Sequence, residues 1–234
     1  MKMKLNPFLA GFIALAVVFA ACSSNEIGDS KDVNQDKIYM DHFISHTEGD
    51  EYVDVTCQFR FAGNSGTTLV LSDDSNVEFD GEKLNVDSSA GGGAYYKIRK
   101  PVTGFYGNHT INFTNTDGKR FENKFSFAPF ALTNAARETG RTKDLIITYQ
   151  TAPLTKADHI EVYSTDTDSS FHFSQDGPKS EIVIPARELM RQKGKNLSLE
   201  CDLYREIDLQ QSTAEGGLIR IRQELKPVKI KLLP

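Results

Sequence analysis

From Lys37 onward the apolar residues of this chain recur every second position, not every third or fourth. That spacing confines the chain to half-buried strands, because successive side chains of a strand point to opposite faces. Between Glu51 and Phe61, Val53, Val55, Cys57, Phe59 and Phe61 fall on one face. Asp54, Thr56, Gln58 and Arg60 fall on the other. Val77 to Leu84 predicts a hairpin about the two-residue turn Asp80-Gly81, with Val77 opposite Leu84 and Glu78 opposite Lys83. A second hairpin is predicted from His109–Thr114 and Phe121–Phe127 around Asn115-Thr116-Asp117-Gly118. The alternation lapses from Ala128 to Lys143, where Pro129, Thr133-Asn134 and a polar run intervene. It returns around Leu145, Ile160, Leu197 and Val228. One short helix is expected over Pro185–Lys193, with proline at its start and Gly194 just past its end.

Many short strands and almost no helix predict an all-β protein. The lapse divides it into two tandem β-sandwich domains, residues 37–130 and 131–234, each near the size of an immunoglobulin-like domain. One large sandwich or barrel across 37–234 is the alternative. The second segment also resembles bacterial immunoglobulin-like modules of the fibronectin type III kind. The residues that carry the likeness are Glu181-Ile182-Val183-Ile184-Pro185-Ala186, the short helix, Gly194 and the strand at Leu197. The first resembles them through GNHTINFTNTDGKRFENKFSF. This resemblance implies a fold and no ligand.

The N-terminal residues obey a different rule. Lys2 and Lys4 precede an uncharged stretch from Leu5 to Ala21, which ends in Phe19-Ala20-Ala21-Cys22. A basic start, a short apolar run and small residues before a cut site are the marks of an export signal, and the run is short for a membrane span. The segment resembles the lipobox of bacterial lipoproteins, with Phe19 where leucine is usual. The resemblance implies removal of residues 1–21 as a signal peptide and a diacylglyceryl group on the Cys22 thiol. It also implies further acylation (palmitate-type chains) at the new amino terminus. Membrane lipid is then the first partner. Ser23, in place of aspartate, implies the outer membrane of the bacterial envelope by the same resemblance. Residues 22–36 are polar and aperiodic and are read as a flexible, lipidated tether.

The formal charge is −5 at pH 7, and loss of Lys2 and Lys4 makes it more negative by two. An acidic chain is a poor partner for nucleic acid, whose binding rests on neutralising phosphates. Cys57 and Cys201 lie on the apolar sides of their strands and are expected as buried free thiols. The acids of Asn76–Asp87 shadow a calcium-loop spacing, but the hairpin pattern accounts for them better. Histidines 42, 46, 109, 159 and 172 are scattered. Gly63-Asn64-Ser65-Gly66 lacks a nucleophile-elbow spacing, and Gly91-Gly92-Gly93 precedes no helix. No catalytic set, metal site or cofactor is predicted.

Tyr95 and Tyr106, each beside a second aromatic, are the candidate ligand-binding residues. The expected function is a non-catalytic binding, spacer or assembly module for an envelope protein or glycan. A glycan-binding accessory lipoprotein is the alternative, and a hydrolase built from dispersed carboxylates is the third reading.

Overall fold

A computed structural model describes residues 27–234, apart from 73, 135, 165–169 and 180. The signal segment and Cys22 lie outside the described residues. The first half contains β1 (Ile27–Asp29), β2 (Ile38–Thr47), β3 (Tyr52–Phe61), β4 (Thr67–Val70), β5 (Asn76–Phe79), β6 (Glu82–Lys83), β7 (Val86–Ser89), β8 (Gly93–Pro101), β9 (Gly107–Thr114) and β10 (Arg120–Phe127). The second contains β11 (Ala131–Asn134), β12 (Glu138–Gly140), β13 (Leu145–Gln150), β14 (His159–Ser164), β15 (His172–Asp176), β16 (Glu181–Ile184), α1 (Ala186–Arg191), β17 (Asn196–Asp208), β18 (Gly217–Glu224) and β19 (Val228–Leu233).

The chain is all-β, and its strands form β-sandwiches around two hydrophobic cores. In the first, Ile38, Met40 and Ile44 of β2 and Val53, Val55, Cys57 and Phe59 of β3 face Val77, Phe79, Ile111 and Phe113 of the sheet β10-β9-β5-β6. The rings of Phe59 and Phe113 meet across the gap at 4.5 Å. In the second, Leu197, Leu199, Cys201 and Leu203 of β17 face Ile147, Ile182 and Ile184 of the sheet β11-β13-β16, with Leu189 of α1 closing one side. Period-two burial along these strands follows directly from the sequence alternation.

The hairpin β5–β6 has the expected register, with Glu78 opposite Lys83 and the Leu84 N–H donating to the Val77 carbonyl at 2.9 Å. Asp80 and Gly81 both have positive φ, 49° and 81°. A two-residue turn between right-twisted strands requires that geometry. In the second hairpin Phe113 faces Phe121, and Asn115 Oδ1 accepts from the N–H groups of Asp117 and Lys119.

Two features depart from the expected organisation. The first concerns residues 27–36, assigned above to a tether. They are docked on the first core. β1 runs parallel to β4, from Ile27 beside Thr68 to Asp29 beside Val70. Ser30 is fully buried, and Gln35 donates to the carbonyls of Ser30 (2.6 Å) and Val33 (2.9 Å) while accepting from the Thr116 N–H (3.3 Å). Polar side chains bonding to backbone hold this segment together with Val33 packed against the first core, and one apolar contact leaves no hydrophobic period to read.

The second departure concerns the division at residue 130. The chain leaves the first core after Phe127 and enters the second at Phe130. It then returns. The first part of β17 pairs with β14 and β19, and its last part pairs with β18. β18 in turn lies parallel to β2 over eight positions, from Gly217 beside Met40 to Glu224 beside Thr47. Ile219 and Ile221 therefore belong to the first core, and Ile207 and Leu209 pack against it. A single sheet, ordered β1-β4-β3-β2-β18-β17-β14-β15, runs through both halves. The expected segment 131–234 thus lends a hairpin to its neighbour.

Candidate functional site

The turn between β2 and β3, the loop between β8 and β9, the crossing at residues 127–131 and the end of β18 converge where the two cores meet. They enclose a cleft of about 620 Å³. Gly49, at φ +88°, turns the chain back between β2 and β3, and the Asp50 N–H donates to the Thr47 carbonyl at 2.9 Å. The Glu48 N–H donates to the Glu224 carbonyl (2.7 Å), and the Lys226 N–H donates to Glu48 Oε2 (2.9 Å). These bonds fix one wall to the end of the shared sheet. The other wall is the 101–106 loop, pinned by the Val102 N–H to the Glu51 carbonyl (2.9 Å).

The walls are apolar and aromatic: Val102, Tyr106, Phe127, Phe130 and Leu225 line them. Tyr106 is 48% exposed and lies nearly parallel to Phe127, with ring centroids 6.0 Å apart. Tyr52, 41% exposed, carries the Arg99 guanidinium over its ring at 5.0 Å. Glu48, Asp50, Glu51 and Glu224 stand around the lining together with His46, and the end of the Lys226 side chain lies against Gly49. Deep in the wall sits Gln223, 5% exposed. Its Nε2 donates to the Ala128 carbonyl at 2.8 Å, and its Oε1 has no hydrogen-bond partner. A pocket between two folded units, apolar with a few oriented polar groups, is the usual form of a ligand site.

Tyr106 therefore lies in the cleft, and Tyr95 does not. Tyr95 is near the opposite end of β8, six residues before Pro101 or about 20 Å at the rise of a strand. Its hydroxyl donates to Asp87 at 3.1 Å. The structure does not bring the two tyrosines together. Phe130, Gln223 and Leu225 were not singled out from sequence, since the first lies in the stretch where the alternation lapses and the other two reach the junction only because β18 joins β2.

A second polar cluster covers the outer face of β14, β15, β17 and β18. Glu161 and Asp202 are directly opposite across β14 and β17. Each carboxylate is engaged: Asp202 by Arg222 Nη2 (2.8 Å) and the Tyr163 hydroxyl (3.3 Å), Glu161 by His172 and by His159 at 3.6 Å. Tyr204 lies between His159, stacked at 5.0 Å, and Arg222 at 5.3 Å. Burial, then the Asp202 and Glu200 carboxylates, push the Tyr163 hydroxyl above its ordinary range. Here Glu161 and Asp202 stand side by side, and their hydrogen bonds and ion pairs are taken up by Arg222, Tyr163, His159 and His172.

The remaining motifs fall into structural roles. Residues 76–87 form the hairpin and the start of β7, and among the described residues no group of three or more His, Cys, Asp or Glu could hold a metal ion. Cys57 and Cys201 are free and buried, one in each core. Burial pushes both thiols up, Cys201 to about 12. No helix among the described residues is long and apolar enough to cross a membrane.

No protein-family model matches the chain, and no curated protein matches it. Among solved structures it is similar to the tandem immunoglobulin domains IG1+IG2 of DIP-gamma, at 12% identity over 82% of this chain and 95% of that one, with a TM-score of 0.22. Dpr11 IG1 bound to DIP-gamma IG+IG2 gives 12% identity, 82% and 96% coverage and a TM-score of 0.22. A bacterial ice-binding adhesin of 1.5 MDa gives 9% identity, 83% and 65% coverage and a TM-score of 0.25. Superpositions at that level do not bear on how the two cores are arranged or on what the chain binds.

Proposed function

We propose that this chain is a lipoprotein of the bacterial envelope, anchored through lipid on Cys22, that acts without catalysis as a binding and spacing module. In this reading the junction cleft is its binding site. One observation carries the proposal: the cleft lies where a continuous sheet joins two separately packed cores, so both halves build one recognition surface. The lipobox-like sequence ending at Cys22 supports the anchor, since two or three acyl chains hold a protein to a bilayer far better than one. Ser23 supports the outer membrane as the destination.

Two experiments test the two parts. Cys22→Ala should release a folded protein from membranes, as read by fractionation after high-salt and carbonate washing. Retention of that variant in the membrane would overturn the anchor. Thr103→p-benzoylphenylalanine, at the exposed lip of the cleft, should give one defined cross-linked product in intact cells. The same photoreactive residue at Tyr95 should not give it. Equal products from both positions would remove the cleft as the binding site.

A further inference from the structure

We infer that His109 is a proton-operated latch on one wall of the cleft: with a hydrogen on both ring nitrogens it holds the 101–106 loop closed, and loss of one of them frees the loop. The inference rests on the reading of the cleft as the binding site and adds how that site is regulated.

The ring has two partners. Nδ1 lies 2.7 Å from Asp80 Oδ2, and Nε2 lies 2.5 Å from the Phe105 carbonyl oxygen. A peptide carbonyl can only accept, and so can a carboxylate. Asp80 Oδ1 already accepts from the Thr110 N–H at 2.8 Å. Two acceptors therefore face one ring, and both bonds form only when each nitrogen carries a hydrogen. His109 is 8% exposed and forms no other hydrogen bond among the described residues. Its remaining neighbours are aromatic: Phe105, Phe79 and Phe125 have ring centroids 4.1, 5.2 and 5.3 Å away. Aromatic faces favour a cation among them. Asp80 is the one charged group bonded to the ring among the described residues. On the neighbouring strands Glu82 is paired with Lys100, and Glu122 with Lys124.

Removal of one proton leaves a single N–H for two acceptors. The charged Asp80 carboxylate is the stronger acceptor, so the hydrogen stays on Nδ1. Nε2 then turns a lone pair toward the Phe105 carbonyl, and an attraction becomes a repulsion. The loop can respond. Gly104, at φ +90°, and Gly107, at φ +132°, stand on either side of Phe105 and Tyr106, and a Cβ at either glycine would meet nothing within 4 Å. The pair can therefore move between two small pivots. Phe105 lies against Phe127 at 5.0 Å, and Tyr106 lies against the same ring at 6.0 Å. A shift of the Phe105 carbonyl thus moves Tyr106 and with it one wall of the cleft.

The test is a titration of the full processed chain, in nonionic detergent, between about pH 5 and 9. Nitrogen NMR of selectively labelled histidine reads the His109 ring, and amide hydrogen exchange reads residues 103–106, with the amides of β13 correcting for the intrinsic effect of pH on exchange. Nε2 should lose its hydrogen while Nδ1 keeps its own, and protection of 103–106 should fall about tenfold over the same pH interval. Asp80→Asn removes the anion beside the ring and should move that interval to lower pH, with the loop following the ring. Asparagine accepts the positive φ of 49° found at Asp80. His109→Phe, which fills the aromatic site without a donor, should leave the loop weakly protected at every pH, and circular dichroism confirms that both variants fold. Retention of the hydrogen on Nε2, loop protection indifferent to the ring's titration, an unmoved interval in Asp80→Asn, or ordinary protection in His109→Phe would overturn the inference. A latch that fails while Thr103 still cross-links leaves the cleft as a binding site with a fixed wall. A latch that works without any such cross-link removes the proposed function and leaves the motion of the loop.

Discussion

The two cores are built from different materials. The first buries seven phenylalanines and Tyr96, with rings in contact from Phe59 through Phe113 to Phe121 and from Phe79 through Phe105 to Phe127. The second is aliphatic, and its buried rings are Phe130 and Phe171 alone among the described residues. Both buried histidines, His42 and His109, belong to the first half. The difference teaches that the halves differ in composition and yet share one sheet along β2, β18 and β17, with Ile219 and Ile221 of β18 packed into the first core.

That contrast can be broken from either side. Phe113→Ala should cost about 4 kcal/mol and Ile182→Ala about 3 kcal/mol, the usual range for emptying a core position. Because β17 contributes to both cores, each variant should move one common calorimetric transition. Two resolved transitions, with only one of them moving, would show that the shared sheet does not couple the halves.

Acid should lower the stability of the protein through a residue of the first half. His42 is fully buried with neither ring nitrogen bonded, and burial holds its pKa down from 6.5 to about 4. Between those values the unfolded chain takes up a proton that the folded chain refuses. Stability therefore falls as pH falls through 6.5 toward 4, by about 3 kcal/mol in all, and the loss is absent above 6.5. Denaturant titrations at pH 7, 5.5 and 4.5 should show this slope, and His42→Leu should flatten it. An unchanged slope in that variant would place the acid sensitivity elsewhere.

The seam itself has a weak point. Gly217 starts β18 at φ +156°, and a Cβ there would sit 2.1 Å from the Met40 carbonyl oxygen. Gly217→Ala should cost about 2 kcal/mol through strain at the first rung of the β2–β18 pairing. It should also broaden the common transition, which a merged scan of wild type and variant would reveal. The smallest effect is expected at α1. Removing the exposed Arg191 partner of Glu188 should change stability by less than about 0.5 kcal/mol, and a larger loss on Arg191→Ala would mean that the helix supports the second core through more than Leu189.

Much of the strand content was legible because alternation is a local property. Val53 to Phe59 and Leu197 to Leu203 face inward as their spacing requires. The Asp80-Gly81 turn was legible because few residue pairs accept positive φ twice. Three things were not. Ile219 and Ile221 alternate just as Ile230 and Leu232 do, yet the first pair enters one core and the second pair the other. Periodicity states which face is apolar and is silent on which sheet receives it. Residues 27–36 dock through Gln35, Ser30 and Asp29, whose hydrogen bonds carry no period. The cleft followed neither rule. Tyr106 was reachable as an aromatic neighbour of Phe105, but Gln223 became a site residue only through the return of β18 to β2.

The docked N-terminal segment also sets a leash. If lipid holds Cys22 in a bilayer, five residues reach from it to Ile27, at most about 18 Å of chain. Ile27 lies beside Thr68, which pairs with Arg60. From Arg60 the strand β3 runs eight residues, about 26 Å, to Tyr52 at the mouth of the cleft. A short leash at one end of that strand and a mouth at the other leave the protein little room to wander. On that condition the mouth stays within about 45 Å of the bilayer, and a partner held in the same membrane meets it at a local concentration that free solution would not provide.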